Sequence, residues 1–257
     1  MATESETRSV AEANGGESAR GADPPAPQVC TDLDFMTMVS HELRHAAGVV
    51  SGFLDLVVVR GEVLDERQAR QLLVRARENA HRLNRLLEDV TMAMHLGSGT
   101  FSYALGPIDL RRVVRQTTRS LSQTLERPIQ LDQPAELPPV IADRDRQVQI
   151  LTNLLSNATK YSPPGSPVRV VVENRHEEVA VSVCNEGSAG SPSDLEGVFE
   201  PFIRLEADHP TKREGLGLGL YITRLLVEGQ GGEIDVDHDG RAGWTFTYTI
   251  PCASAAS

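Results

Sequence analysis

The chain has 257 residues, 40% of them hydrophobic and 24% charged, which is ordinary for a globular protein of one large or two modest domains. A formal net charge of −11 argues against a nucleic-acid-binding surface, which needs a basic stripe. The longest apolar run, around Val57-Val58-Val59, stops at Arg60, so no membrane span is expected. Cys30, Cys184 and Cys252 are odd in number and lack metal-type spacing, so reduced thiols and a cytoplasmic location are expected.

Residues 1–29 are rich in Ala, Glu, Ser, Gly and Pro, have almost nothing to bury, and are expected to form a disordered tail. They lack the apolar core of a signal peptide. From Leu33 apolar residues recur at helical spacing through Met36, Val39, Leu43, Ala47, Val50, Phe53/Leu54 and Val57. Gly61 breaks the pattern, which resumes at Leu72/Leu73 and runs through Ala76, Ala80, Leu83 and Leu86/Leu87 to Val90 before Gly97-Ser98-Gly99. Two long helices joined by a short turn make a hairpin, and pairing into a four-helix bundle by dimerisation would bury its seam.

After Gly99 the pattern becomes mixed. A helix is expected from Ile108-Asp109-Leu110 to about Leu125, strands at Ile129–Leu131 and Pro138–Ala142, and a long amphipathic helix from Asp143 to Tyr161. Val168–Asn174 and Val179–Cys184 read as strands around a charged turn, Leu216–Gly229 as a helix entered through glycines, and Glu233–Asp237 and Trp244–Ile250 as closing strands. The class is α+β: a helical hairpin, then an α/β sandwich with mixed strands and helices on one face.

Four places carry candidate chemistry. His41 stands beside Glu42 within Ser40-His41-Glu42-Leu43-Arg44. A neutral imidazole nitrogen is nucleophilic near neutral pH, and an adjacent carboxylate can hold its tautomer or take its proton. Taken alone, the pair reads more simply as a surface histidine on a coiled-coil flank. Asn153 and Asn157, four residues apart, share a helix face with Lys160 and its neighbour Tyr161. Their amide oxygens suit a hard cation such as Mg²⁺, and the ammonium suits polyphosphate; a solvated polar face is the plain alternative. Gly215-Leu216-Gly217-Leu218-Gly219 allows close backbone approach to phosphate at a helix start, or a packing turn. It is not a Walker loop, because no Gly-Lys-Ser/Thr follows. Before it, Arg204, Lys212 and Arg213 lie in a polar stretch that reads as a partly basic lid. Asn185-Glu186-Gly187 follows a strand end, where a side chain can read a base edge.

Taken together these residues resemble a two-component sensor histidine kinase over roughly residues 31–251. Ser40–Arg44 resembles the H box, Asn153–Tyr161 the N box, Phe199-Glu200-Pro201-Phe202 the F box and Gly215–Ile222 the second glycine box. The resemblance implies a dimerisation and phosphotransfer hairpin over residues 30–100, then a gyrase-type ATP-binding domain over residues 101–252. It makes His41 the phosphorylated residue and Glu42 its assisting base. Asn157 becomes the principal Mg²⁺ ligand with Asn153 in support, and Lys160 and Tyr161 contact phosphate or ribose. Gly215, Leu216, Gly217, Leu218 and Gly219 pass the phosphates, and Asn185, Gly187 and Arg204 complete the nucleotide site. ATP and Mg²⁺ are the implied cofactors. A response-regulator receiver protein and a second copy of the chain are the implied partners, and input is expected from an upstream sensory protein or through the hairpin or the short tail.

Three departures from the family pattern stand out. Asn185 replaces the aspartate that accepts from the adenine amino group, with Ala189 in place of a nearby glycine. His45 stands where Thr or Asn commonly positions water for dephosphorylating the regulator, so the usual phosphatase route is not expected. Ala46 replaces a proline that often kinks this helix, leaving it straighter or bent at Gly48 and Gly52. These changes keep one rival open, a degenerate kinase acting as a dimeric scaffold or regulator-binding module. A gyrase-type ATPase of another kind, or a serine kinase on this fold, fits the histidine-bearing hairpin poorly.

Overall fold

The computed structural model describes residues 32–60, 63–187, 197–203, 216–238 and 243–253. Helix α1 (Asp32–Arg60) and helix α2 (Glu66–Gly97) form the hairpin. Asp65 opens α2 through a reciprocal capping box: its carboxylate accepts from the Gln68 amide at 2.7 Å, while the Gln68 side chain accepts from the Asp65 N–H at 3.2 Å. The buried seam consists of Val39 and Ala46 from α1 and Ala76, Leu86, Val90 and Ala93 from α2. Sequence spacing had pointed to Met36 and Ala47 on that seam, but both are exposed and Ala46 takes the inward position. A small methyl at residue 46 lets the helices approach there, and α1 runs unbroken past it.

The remainder is a sheet with helices packed against it. Strand β1 (Gly106–Ile108) pairs antiparallel with β3 (Val140–Ala142) as a separate two-stranded ribbon. The main sheet has the order β2 (Ile129–Asp132), β4 (Val168–Asn174), β5 (Glu178–Asn185), β7 (Trp244–Pro251), β6 (Ile234–His238). Among the described strands of this sheet only the β2–β4 pair is parallel. Alternation in β4 sets one covered face: Val168, Val170 and Val172 are buried and Arg169 is exposed.

Helices α3 (Leu110–Thr124), α4 (Arg144–Lys160) and α5 (Gly219–Glu228) supply that cover. Asp109 caps α3, and Asp143 caps α4 by accepting from the Asp145 and Arg146 amides at 3.0 and 3.3 Å. The other Asp143 oxygen accepts from the Ala104 N–H at 3.0 Å, tying the entry to the sheet domain to α4. Two sequence expectations needed correction. No strand is expected over Gly106–Ile108, where only three residues pair, and the helix expected from Ile108 begins at Leu110 after its Asp109 cap. Helix α5 begins at Gly219 rather than Leu216, since residues 216–218 form the loop that enters it.

Candidate functional site

Helix α4 has two faces. Ile150, Leu151, Leu154, Leu155 and Ala158 are buried in the core, and Thr152, Asn153, Ser156, Asn157 and Lys160 remain half-buried. The polar stripe borders a groove of about 580 Å³ between α2, α4 and α5. Asn153, Ser156 and Lys160 line it from α4, Gly219 and Thr223 from α5, and Arg82 and Asp89 from α2. Asn157 lies on the same stripe outside that lining, and its side-chain amide makes no hydrogen bond to a described residue. The Lys160 ammonium lies 5.2 Å from the centre of the Tyr161 ring.

The glycine loop is held against this stripe by close backbone packing. Gly217 has φ +73°, and a β-carbon there would lie 2.7 Å from the Ile203 carbonyl oxygen. The Phe202 N–H donates to the Gly217 carbonyl at 3.1 Å, so the Phe199–Phe202 segment and the loop brace each other. A β-carbon on Gly219 would lie 2.6 Å from the Asn153 amide oxygen. Leu216 and Leu218 are only 2% and 1% exposed, so their side chains anchor the loop and only their backbone can face a nucleotide. Leu218 gives α5 no side-chain cap, which leaves the first-turn N–H groups able to serve an anion.

At the neighbouring end of α4, Asn185 is buried at the last position of β5. Its amide nitrogen donates to the Glu186 carbonyl at 3.2 Å. A β-carbon on Gly187 would come within 3.0 Å of the Tyr161 carbonyl, so the β5 end closes directly onto the α4 terminus. The structure therefore brings Asn153, Asn157, Lys160, Tyr161, Asn185, Gly187, Gly217 and Gly219 to the end of α4 and its flank. Arg204, Gly215 and Ala189 lie outside the described residues, as does the lid read over residues 203–214 apart from Ile203.

His41 and Glu42 sit on the hairpin. His41 is exposed, roughly 140–160° around the helix from the buried Val39 and Ala46. Glu42 is half-buried, with its carboxylate 3.9 Å from the Arg82 guanidinium, which links it to the groove lining. The amino-terminal end of α1 meets the sheet domain through Phe35, whose ring lies 5.2 Å from that of Phe202. Inside the groove Asp89 is pushed up to about 6, chiefly by burial and next by Glu88, with Arg85 opposing.

Sequence reading missed Thr223 and the contribution of α2. Thr223 is polar on an otherwise apolar helix face, four residues after Gly219, and that was the available signal. Arg82 and Asp89 gave none, because a charged helix flank looks the same with or without a neighbouring domain. Among the described residues there is no group of three His, Cys, Asp or Glu able to hold a metal ion. Any cation here would rely on the asparagine amide oxygens and on its ligand's phosphates, a donor set that suits Mg²⁺. Nor is any helix among the described residues long and apolar enough to cross a membrane.

Residues 142–254 match the family described as histidine kinase-, DNA gyrase B- and HSP90-like ATPase. The chain is 27% identical over 219 residues to Sensor protein KdpD of Clostridium acetobutylicum, which covers 85% of this chain and 24% of that protein. It is 26% identical over 231 residues to Sensor protein SrrB of Staphylococcus aureus, covering 85% of this chain and 38% of that one. The chain thus spans about a quarter to two fifths of the length of these curated relatives. Two solved structures share the fold. Histidine kinase ThkA in complex with response regulator protein TrrA has a TM-score of 0.67 at 21% identity, covering 87% of this chain and 63% of that one. Full-length ShkA in complex with AMPPNP has a TM-score of 0.62 at 23% identity, covering 86% of this chain and 46% of that one. Residues 142–254 are thus similar to the histidine kinase-, DNA gyrase B- and HSP90-like ATPases, and most of the chain is similar to part of two curated sensor proteins.

Proposed function

We propose that the chain binds MgATP in the sheet domain, transfers the γ-phosphoryl group to His41, and passes it to an aspartate of a separate response regulator. The observation that carries this reading is the meeting of the α4 asparagine stripe with the glycine loop at the uncapped start of α5, in a chain whose hairpin presents an exposed histidine. The backbone around Gly217 and Gly219 would receive phosphate oxygens, and Lys160 would offset their charge. Asn157 and Asn153 would hold Mg²⁺, which when bound neutralises charge on the transferring phosphate. A ring nitrogen of His41 then attacks the γ-phosphorus, the bond to the bridging oxygen breaks, and ADP leaves. Glu42 would fix the tautomer or take the ring proton. Asn185 would accept from the adenine amino group without a charge, which favours weaker binding than a carboxylate gives.

Organisation into a hairpin over residues 30–100 and an ATP-binding domain over residues 101–252 is part of this proposal, as is a homodimer. Leu73, Leu87 and Met94 recur every seven residues with Ala80 along one flank of α2, at 47%, 45% and 54% exposure. That stripe borders the seam with α1 and suits a second hairpin packed as a four-helix bundle. The named partnership of ThkA with TrrA supports a receiver protein as the acceptor, and the AMPPNP bound by ShkA supports ATP as the donor. Incubation with γ-labelled ATP and Mg²⁺ tests the reading. Acid-labile, base-stable label that disappears in His41→Gln is expected. Absence of label with ATP still bound would favour the scaffold alternative.

A further inference from the structure

The Asn153 side chain has an orientation that the rest of the site imposes. Thr223 is buried, and its hydroxyl donates to the Gly219 carbonyl at 2.9 Å, one turn back along α5. With its only proton used there, the hydroxyl oxygen can serve Asn153 only as an acceptor. It accepts from the Asn153 amide nitrogen at 2.6 Å. The two ends of a carboxamide differ, so fixing the nitrogen fixes the oxygen. The oxygen is left pointing along Gly219, with no hydrogen bond from a described residue and no room for a side chain opposite it.

We propose that Thr223 is a positioning residue that locks the Asn153 carboxamide with its oxygen toward the phosphate loop, so that a Mg²⁺–nucleotide complex meets an acceptor rather than a donor. The proposal rests on the ATP-site reading above. An N–H₂ group aimed at the cation or its waters would repel them, and a threonine hydroxyl already committed to a backbone carbonyl prevents that flip. The same contact joins α4 to the first turn of α5.

Binding of a fluorescent ATP analogue, measured with and without Mg²⁺ on the full chain, separates this role from a merely structural one. Thr223→Val keeps the shape of the side chain and removes the hydroxyl, while Thr223→Ser keeps the hydroxyl. Orienting partners of this kind typically contribute about tenfold to a hundredfold to metal affinity. Thr223→Val should therefore lose at least about tenfold of the Mg²⁺-dependent gain in nucleotide affinity while binding metal-free nucleotide as the wild type does. Thr223→Ser should retain the gain. Equal losses with and without Mg²⁺ would overturn the proposal, as would a valine variant with the full gain. Failure of the wild-type chain to bind nucleotide at all would instead overturn the ATP-site reading.

Discussion

Gly217→Ala is the sharpest perturbation of the phosphate loop. At φ +73° an alanine costs about 1–2 kcal/mol in backbone conformation. Its β-carbon would also lie 2.7 Å from the Ile203 oxygen and 2.8 Å from the Phe202 carbonyl carbon, closer than real β-carbons come to such atoms. These are backbone atoms that cannot rotate aside, and relieving such overpacking costs about 1–3 kcal/mol. Reduced freedom of the unfolded chain returns only about 0.4–1 kcal/mol. The net cost of about 1–4.5 kcal/mol falls on the loop proposed to hold the phosphates. Spent entirely on loop geometry, it lowers nucleotide affinity by about fivefold to two-thousandfold. Competition titration against a fluorescent nucleotide measures this, with urea unfolding of the same variant to report global stability. Gly48→Ala is the control, because its β-carbon meets nothing within 4 Å on α1. It should leave affinity unchanged and add about 0.5–1 kcal/mol of stability. A folded Gly217→Ala variant binding nucleotide within about threefold of wild type would refute the argument.

Asp89 supplies a pH dependence. Its folded pKa of about 6 lies above its ordinary value, so its proton stabilises the fold most below the unfolded pKa, and that stabilisation is lost as pH rises through 6. Asp89→Asn should therefore be more stable than wild type at pH 8, by about 1–2 kcal/mol after solvent screening, with the gap closing by pH 4 in thermal melts. For the proposed dimer, Leu73→Glu combined with Leu87→Glu buries two charges on the exposed stripe of α2 and should weaken association at least about a hundredfold. Sedimentation equilibrium reads this, and unchanged association would place the dimer seam elsewhere. His45, exposed one turn beyond His41, is expected to deny the usual dephosphorylation route. His45→Thr should accelerate loss of label from a phosphorylated receiver protein, and an unchanged rate would separate that activity from this position.

Much of the architecture was legible because period and punctuation agreed. The hairpin showed as two helical repeats broken at Gly61, and β4 and β5 as β-branched runs around a charged turn. What escaped notice depended on contacts between distant segments. The inward choice of Ala46 over Ala47 is decided by the opposing helix, since both fit the same repeat. Three-residue β1 has too little sequence to signal a strand, and its partner β3 lies over thirty residues later. At the site, the asparagines and glycines were visible by type and spacing, while the roles of Leu216 and Leu218 as buried anchors became apparent only from their exposure. Thr223 shows in the sequence only as a polar residue on an apolar helix face, and its hydroxyl acquires meaning from Asn153, seventy residues earlier in the chain.

The central claim is that the γ-phosphoryl group of ATP reaches His41. Peptide mapping by mass spectrometry at alkaline pH, after incubation of the chain with MgATP, addresses it directly. The account predicts one phosphoryl group on the peptide containing His41, and none in His41→Gln although that variant still binds nucleotide. Phosphate on a serine or threonine, or ATP hydrolysis with no phosphorylated peptide, would contradict it.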